Sequence, residues 1–185
     1  MGTAGNLSVR INDDSFLITA SGKPKGQLSE TDFVSINLPS GKQTDPAHNL
    51  VLKNKPSAET SIHQAIYNLF PTANACFHIH SIDACLATQL HANENELLLP
   101  NLEMIKGFDV WDENPNVNLP LFDNYVNVSQ ISKEIEKRFA NNPPKIDALM
   151  IKNHGITVWG DSIQQAFNRV EILEFIMSFL AKVSK

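Results

Sequence analysis

The apolar positions of this chain change period several times, and each change marks an element. Leu7-Ser8-Val9-Arg10-Ile11 and Ser15-Phe16-Leu17-Ile18-Thr19 are short β-rich runs separated by Asn12-Asp13-Asp14, which has the composition of a hairpin turn. A third strand is expected over residues 33–38. From Ser57 the period lengthens: Ile62, Ala65, Ile66, Leu69 and Phe70 fall on one helical stripe, with Pro56 in front and Pro71 behind. Ala75-Cys76-Phe77-His78-Ile79-His80 then reads as a strand, and Ser81, a good N-cap, opens a second helix through about Leu90.

Between His91 and Asn127 the pattern is irregular, interrupted by Pro100, Pro115 and Pro120, with short strands expected at residues 97–99 and 117–119. Long irregular segments in compact domains are often functional. A helix over residues 129–139 ends at the break Asn141-Asn142-Pro143-Pro144. Residues 146–152 read as a buried strand that delivers His154 to its tip, with Gly155 permitting a tight turn after it. The last element is a helix over residues 162–183, with Ile163, Ala166, Phe167, Val170, Leu173, Met177 and Leu180 in register, and no functional tail is expected beyond it. No internal repeat or low-complexity tract is visible.

Composition narrows the picture modestly. A chain of 185 residues fits one domain, residues 1–185, with a sizeable core. Hydrophobic content of 42%, charged content of 19% and a formal charge of -5 suit a globular protein and argue against a nucleic-acid partner, as does the lack of a basic stripe. Apolar runs are too short to span a bilayer and the N-terminus lacks a signal-peptide layout, so no membrane partner and a cytoplasmic location are expected. Cys76 and Cys85, nine apart, form no metal motif and read as reduced, mostly buried thiols.

The chemistry lies in the histidines. A strand sends residues i and i+2 to one face, so His78 and His80 project side by side from an otherwise apolar run. Burying such rings without partners costs about 1–3 kcal/mol each, so partners are required. A divalent metal is one such partner, and a third ligand from Lys152-Asn153-His154-Gly155 would complete a catalytic-type site with one position open. Spacing alone does not connect His154 to the pair. His48, His63 and His91 read as satisfied core or surface residues. Glu59 and His63, four apart, are either a surface pair or a carboxylate aimed into the site. Glu103 lies between apolar residues and either pairs with Lys106 at the surface or serves as an acid/base beside a substrate. The turns Ala4-Gly5-Asn6-Leu7-Ser8 and Thr19-Ala20-Ser21-Gly22-Lys23 are either plain turns or anion cradles.

In order and spacing, Gly5-Asn6-Leu7-Ser8, Thr19-Ala20-Ser21-Gly22-Lys23, Lys55-Pro56-Ser57-Ala58-Glu59-Thr60, His78-Ile79-His80-Ser81 and Lys152-Asn153-His154-Gly155 together resemble the class II aldolase/adducin family across essentially the whole chain. Within it, Glu103-Met104-Ile105-Lys106-Gly107 looks most like the branch that dehydrates 5-methylthioribulose 1-phosphate in methionine salvage. The resemblance implies an α/β fold: a three-layer α/β/α class II aldolase-like domain on a central, mainly antiparallel sheet, assembled as a homotetramer with sites near subunit interfaces. It implies Zn²⁺ held by His78, His80 and His154, a phosphate pocket lined by Asn6, Ser21, Gly22 and Ser57, and Glu103 as acid/base. Glu59 matches the position of the catalytic carboxylate in the family's sugar-phosphate aldolases. Family members carry a helix before the Gly-Asn-Leu-Ser motif, and since this chain reaches Gly5 almost at once, that helix is expected to be missing.

Two other readings stand beside the dehydratase. A class II aldolase or 4-epimerase would use tyrosines on the far side of the substrate, and the only tyrosines are Tyr67 and Tyr125. A non-catalytic adducin-like interaction domain would have lost metal ligands, whereas all three histidines are present. For a methylthio pocket, Phe108, Trp111 and Phe122 are apolar candidates, with core packing the default for each.

Overall fold

The Asn12-Asp13-Asp14 turn joins strands β1 (Asn6–Asn12) and β2 (Ser15–Thr19), which pair antiparallel with Val9 opposite Leu17. β3 (Phe33–Asn37) and the short β4 (Gln43–Thr44) extend this meander outward. The computed structural model describes residues 5–44, 54–91 and 93–183; His48 lies outside them. On its other edge β1 pairs with the histidine strand β5 (Ala75–His80), which places Asn6 opposite His78. Beyond it lie β9 (Gly155–Gly160), β8 (Ala148–Ile151), β7 (Asn118–Phe122) and β6 (Glu96–Leu98), giving the order β4-β3-β2-β1-β5-β9-β8-β7-β6. Of these pairings only β7 with β8 is parallel.

Alternation along the strands feeds two cores. Leu149 and Ile151 of β8 face the side covered by α1 (Thr60–Leu69) and α3 (Val128–Asn141), where Ile62, Ile66, Ile131 and Ile135 pack. Ala148 and Met150 face the side covered by α2 (Ile82–Leu90) and α4 (Ile163–Val183), with Ala84, Ala87, Leu173 and Met177. Each fully buried Ile or Leu contributes about 1.5–3 kcal/mol relative to exposure. The result is the expected α/β/α sandwich. Ser81 caps α2 as expected, accepting from the Ala84 N–H.

Three local expectations need correction. Residues 155–160 form β9, a six-residue strand buried throughout; a run buried on both faces shows no period, so it left no pattern in the sequence. Gly155 does not supply the turn: the left-handed residue there is Asn153, at φ 54. Gly155 is instead required by close packing, because a Cβ on it would lie 2.0 Å from the Ile79 carbonyl oxygen. The buried stripe of α4 also runs through Arg169, Ile172 and Ile176, while Ile163 is exposed. Arg169 is tolerated because its guanidinium donates to Asp147 at 2.8 Å and to the Trp159 carbonyl at 2.8 Å. Among the described residues no helix is long and apolar enough to cross a membrane.

Candidate metal centre

Pairing of β5 between β1 and β9 fixes the site. His80, the last residue of β5, sits opposite Gly155, so the turn that leads into β9 brings His154 beside it. On the other edge, Asn6 of β1 lies opposite His78. Glu59 immediately precedes α1 and reaches the same point from the α1 face. The ligand atoms of Glu59, His78, His80 and His154 all lie within 4.8 Å of one another. Sequence spacing left His154 unconnected to the pair; the β5–β9 register makes the connection.

The nitrogens that meet are the Nε2 atoms. His154 Nε2 is 2.9 Å from His80 Nε2 and 3.1 Å from Glu59 Oε1, and His78 Nε2 is 3.4 Å from the same oxygen. The far side of two rings is held by other partners: His78 Nδ1 is 2.9 Å from Thr157 Oγ1, and His154 Nδ1 is 3.3 Å from Asn124 Oδ1. In the tautomers that donate from Nδ1, both rings turn an unprotonated Nε2 into the cluster. His78 Nε2 is buried and has no hydrogen-bond partner. Burial lowers the His78 pKa to about 3, the nearby Glu59 charge opposing the shift, and burial also lowers that of His80. Neutral rings whose lone pairs face one another and a carboxylate fit a divalent cation at their centre.

Burial pushes the Glu59 carboxyl up, but when His78 and His154 carry protons on Nε2 their charges, the hydrogen bond from His154 and that from Asn6 outweigh it and hold it well below the usual carboxylate range. Asn6 Nδ2 donates to Glu59 Oε2. The choice left open for Glu59 and His63 is thereby settled: Glu59 faces the cluster, and neither residue lies at the surface. His63 Nδ1 bonds to Ser8 Oγ at 2.6 Å, which also contacts the Tyr67 hydroxyl at 2.8 Å, a buried polar chain that partners one nitrogen of this core histidine and leaves its Nε2 without a hydrogen-bond partner.

The remaining candidates fall into two groups. Ser21 and Ser57 adjoin through the bridge between Ala20 and Pro56, and Ser57 Oγ accepts from the Glu59 N–H at 3.3 Å, so these turns lead directly to the cluster. Gly22 has φ +75 with open space around it, but Lys23 is engaged by Asp32 at 2.7 Å. Glu103 is not among the clustered groups. It stands at the start of a 3-10 turn, Glu103–Phe108, its side chain 82% exposed and paired to Lys106 at 2.7 Å. Phe108 and Phe122 are core residues, whereas Trp111 is 71% exposed, against the expectation that it packs inside. Beside the cluster, a cleft of about 540 Å³ is lined by His80, His154, Asn124, Asn153 and the outer face of α2.

Residues 1–180 match the Class II Aldolase and Adducin N-terminal domain family. A methylthioribulose-1-phosphate dehydratase of Microcystis aeruginosa is 53% identical over 180 residues, covering 97% of this chain and 85% of the relative. One from Leptospira biflexa is 41% identical over 97% of this chain and 87% of its own length. Among solved structures, YgbL of Escherichia coli superposes with a TM-score of 0.75 at 26% identity, over 97% of this chain and 78% of that one.

Proposed function

This chain belongs to the class II aldolase and adducin family, and from that premise we propose that it works as one domain to dehydrate 5-methylthioribulose 1-phosphate to 2,3-diketo-5-methylthiopentyl 1-phosphate and water. The dehydratase relatives support the substrate, and the converging Nε2 atoms of His78, His80 and His154 beside Glu59 support the metal-dependent chemistry. His78, His80 and His154 would hold a divalent cation, which we take to be Zn²⁺, and when bound it would supply Lewis-acid chemistry at the substrate's carbonyl oxygen.

The chain's own residues do the rest. Asn6, Ser21, Gly22 and Ser57 hold the phosphate, which orients C2, C3 and C4 without taking part in bond breaking. Glu103 takes the C3 proton and returns a proton to the departing C4 hydroxyl, leaving an enol that tautomerises to the diketone. Glu59 offers a second carboxylate, in contact with His154 and His78, to exchange a proton with the substrate's hydroxyls. Glu103 stands outside the cluster of its own chain, and in this reading it serves the site of a neighbouring copy in a homotetramer with sites near subunit boundaries. Cytoplasmic residence completes the reading.

The test is to supply the purified, metal-analysed protein with 5-methylthioribulose 1-phosphate beside fuculose 1-phosphate and ribulose-type phosphates. Diketone from the first alone is expected; aldehyde release from any of them makes the protein an aldolase instead.

A further inference from the structure

The helix α2 carries apolar residues where water would ordinarily select polar ones. Ile82 is 80% exposed and Leu86 46%, and both line the cleft that contains His80 and His154. They are four apart and share a helix face, with Cys85 beside them on the same wall. Polar side chains of the cleft are engaged with one another: Gln89 donates to Asn153, and His154 contacts Asn124 at 3.3 Å. The surface that remains to meet a ligand on the α2 wall is therefore apolar.

Position in the fold gives this wall an orientation. Ser57 and the Ala20–Pro56 bridge lie at the start of α1, while α2 covers the opposite face of the sheet, so the imidazole cluster at the end of β5 stands between them. A substrate with phosphate on C1, reacting carbons at C2 to C4 and a thioether on C5 has the same order: anionic end, reacting centre, apolar end. We infer that Ile82 and Leu86, on the α2 wall of the cleft, form the subsite that receives the substrate's methylthio group. The inference rests on the dehydratase reading and adds to it the residues that select the distal group. Removing two exposed aliphatic side chains and a methylthio group from water together is favourable, and a pocket of this kind discriminates by the apolar atoms it covers.

The experiment compares kcat/KM for 5-methylthioribulose 1-phosphate with that for the same sugar phosphate bearing hydrogen in place of the methylthio group. Absence of diketone with the parent chain overturns the dehydratase reading and the subsite with it. Given turnover, Ile82→Ser and Leu86→Ser are each expected to lower the preference for the methylthio substrate about tenfold, chiefly through KM. Leu90→Ser, one turn further along the same exposed stripe and outside the cleft, is expected to keep the parent ratio. A ratio that survives both cleft substitutions, or that falls as far in Leu90→Ser, overturns the subsite. In the latter case a changed sedimentation mass assigns the stripe to contact between copies.

Discussion

Two carboxylates, Glu59 and Glu103, show how differently one sequence feature can be placed. Glu59 is shut in at the start of α1, its side chain 10% exposed, against His78, His154 and Asn6. Glu103 lies on a 3-10 turn with its side chain 82% exposed and Lys106 as its ion-pair partner. Water screens the second pair, so it adds little to stability, and it leaves the carboxylate free to change partners. The enclosed carboxylate has no such freedom: it belongs to the cluster of its own chain, whereas the exposed one stands clear of that cluster.

The sharpest way to break this comparison is at the cluster itself. His154→Ala should abolish turnover and bring metal content, measured by atomic absorption after dialysis, well below that of the parent; retained metal would remove His154 from the ligand set. Glu103→Gln should lower kcat by ~10²–10⁴-fold, the range of a lost general acid/base, with metal content unchanged. Glu59→Gln differs by disturbing metal content as well. If Glu103 acts across a subunit boundary, mixing refolded Glu103→Gln and His154→Ala chains restores part of the activity that neither has alone. Thr157→Val, which removes the partner of His78 Nδ1 at 2.9 Å, should weaken metal affinity by ~10–100-fold in a competitive chelator titration.

The smallest expected effect concerns stability. Burial lowers the His63 pKa from 6.5 to about 4, partly opposed by the Glu59 charge. The unfolded chain therefore binds a proton that the folded chain refuses between these values. Stability is full above about pH 6.5 and falls as the pH drops towards 4, by on the order of 3 kcal/mol from this residue. Urea unfolding of metal-free protein between pH 7 and pH 4.5 should show a shallower fall for His63→Gln; an equally steep one would locate the dependence elsewhere.

Much of the fold was legible because its elements carry their own period. The β1–β2 hairpin, the α1 stripe, the Ser81 cap and the break after α3 follow from local patterns. β9 was not legible, since six residues buried on both faces have no alternation to display. Nor was Arg169, a charge in a buried stripe, whose partners Asp147 and Trp159 come from 22 and 10 residues away.

The candidate site divides in the same way. Local sequence determined that His78 and His80 share a face, because a strand repeats every two residues. It also determined, through the shared motifs, the family to which the chain belongs. Only the tertiary structure decided that His154 and Glu59 meet that pair, that Glu103 does not, and that Ile82 and Leu86 stay uncovered beside it. The reason is physical: periodicity fixes the direction of a side chain relative to its own backbone, whereas proximity between residues 59, 78 and 154 depends on strand register and on which sheet face each helix covers.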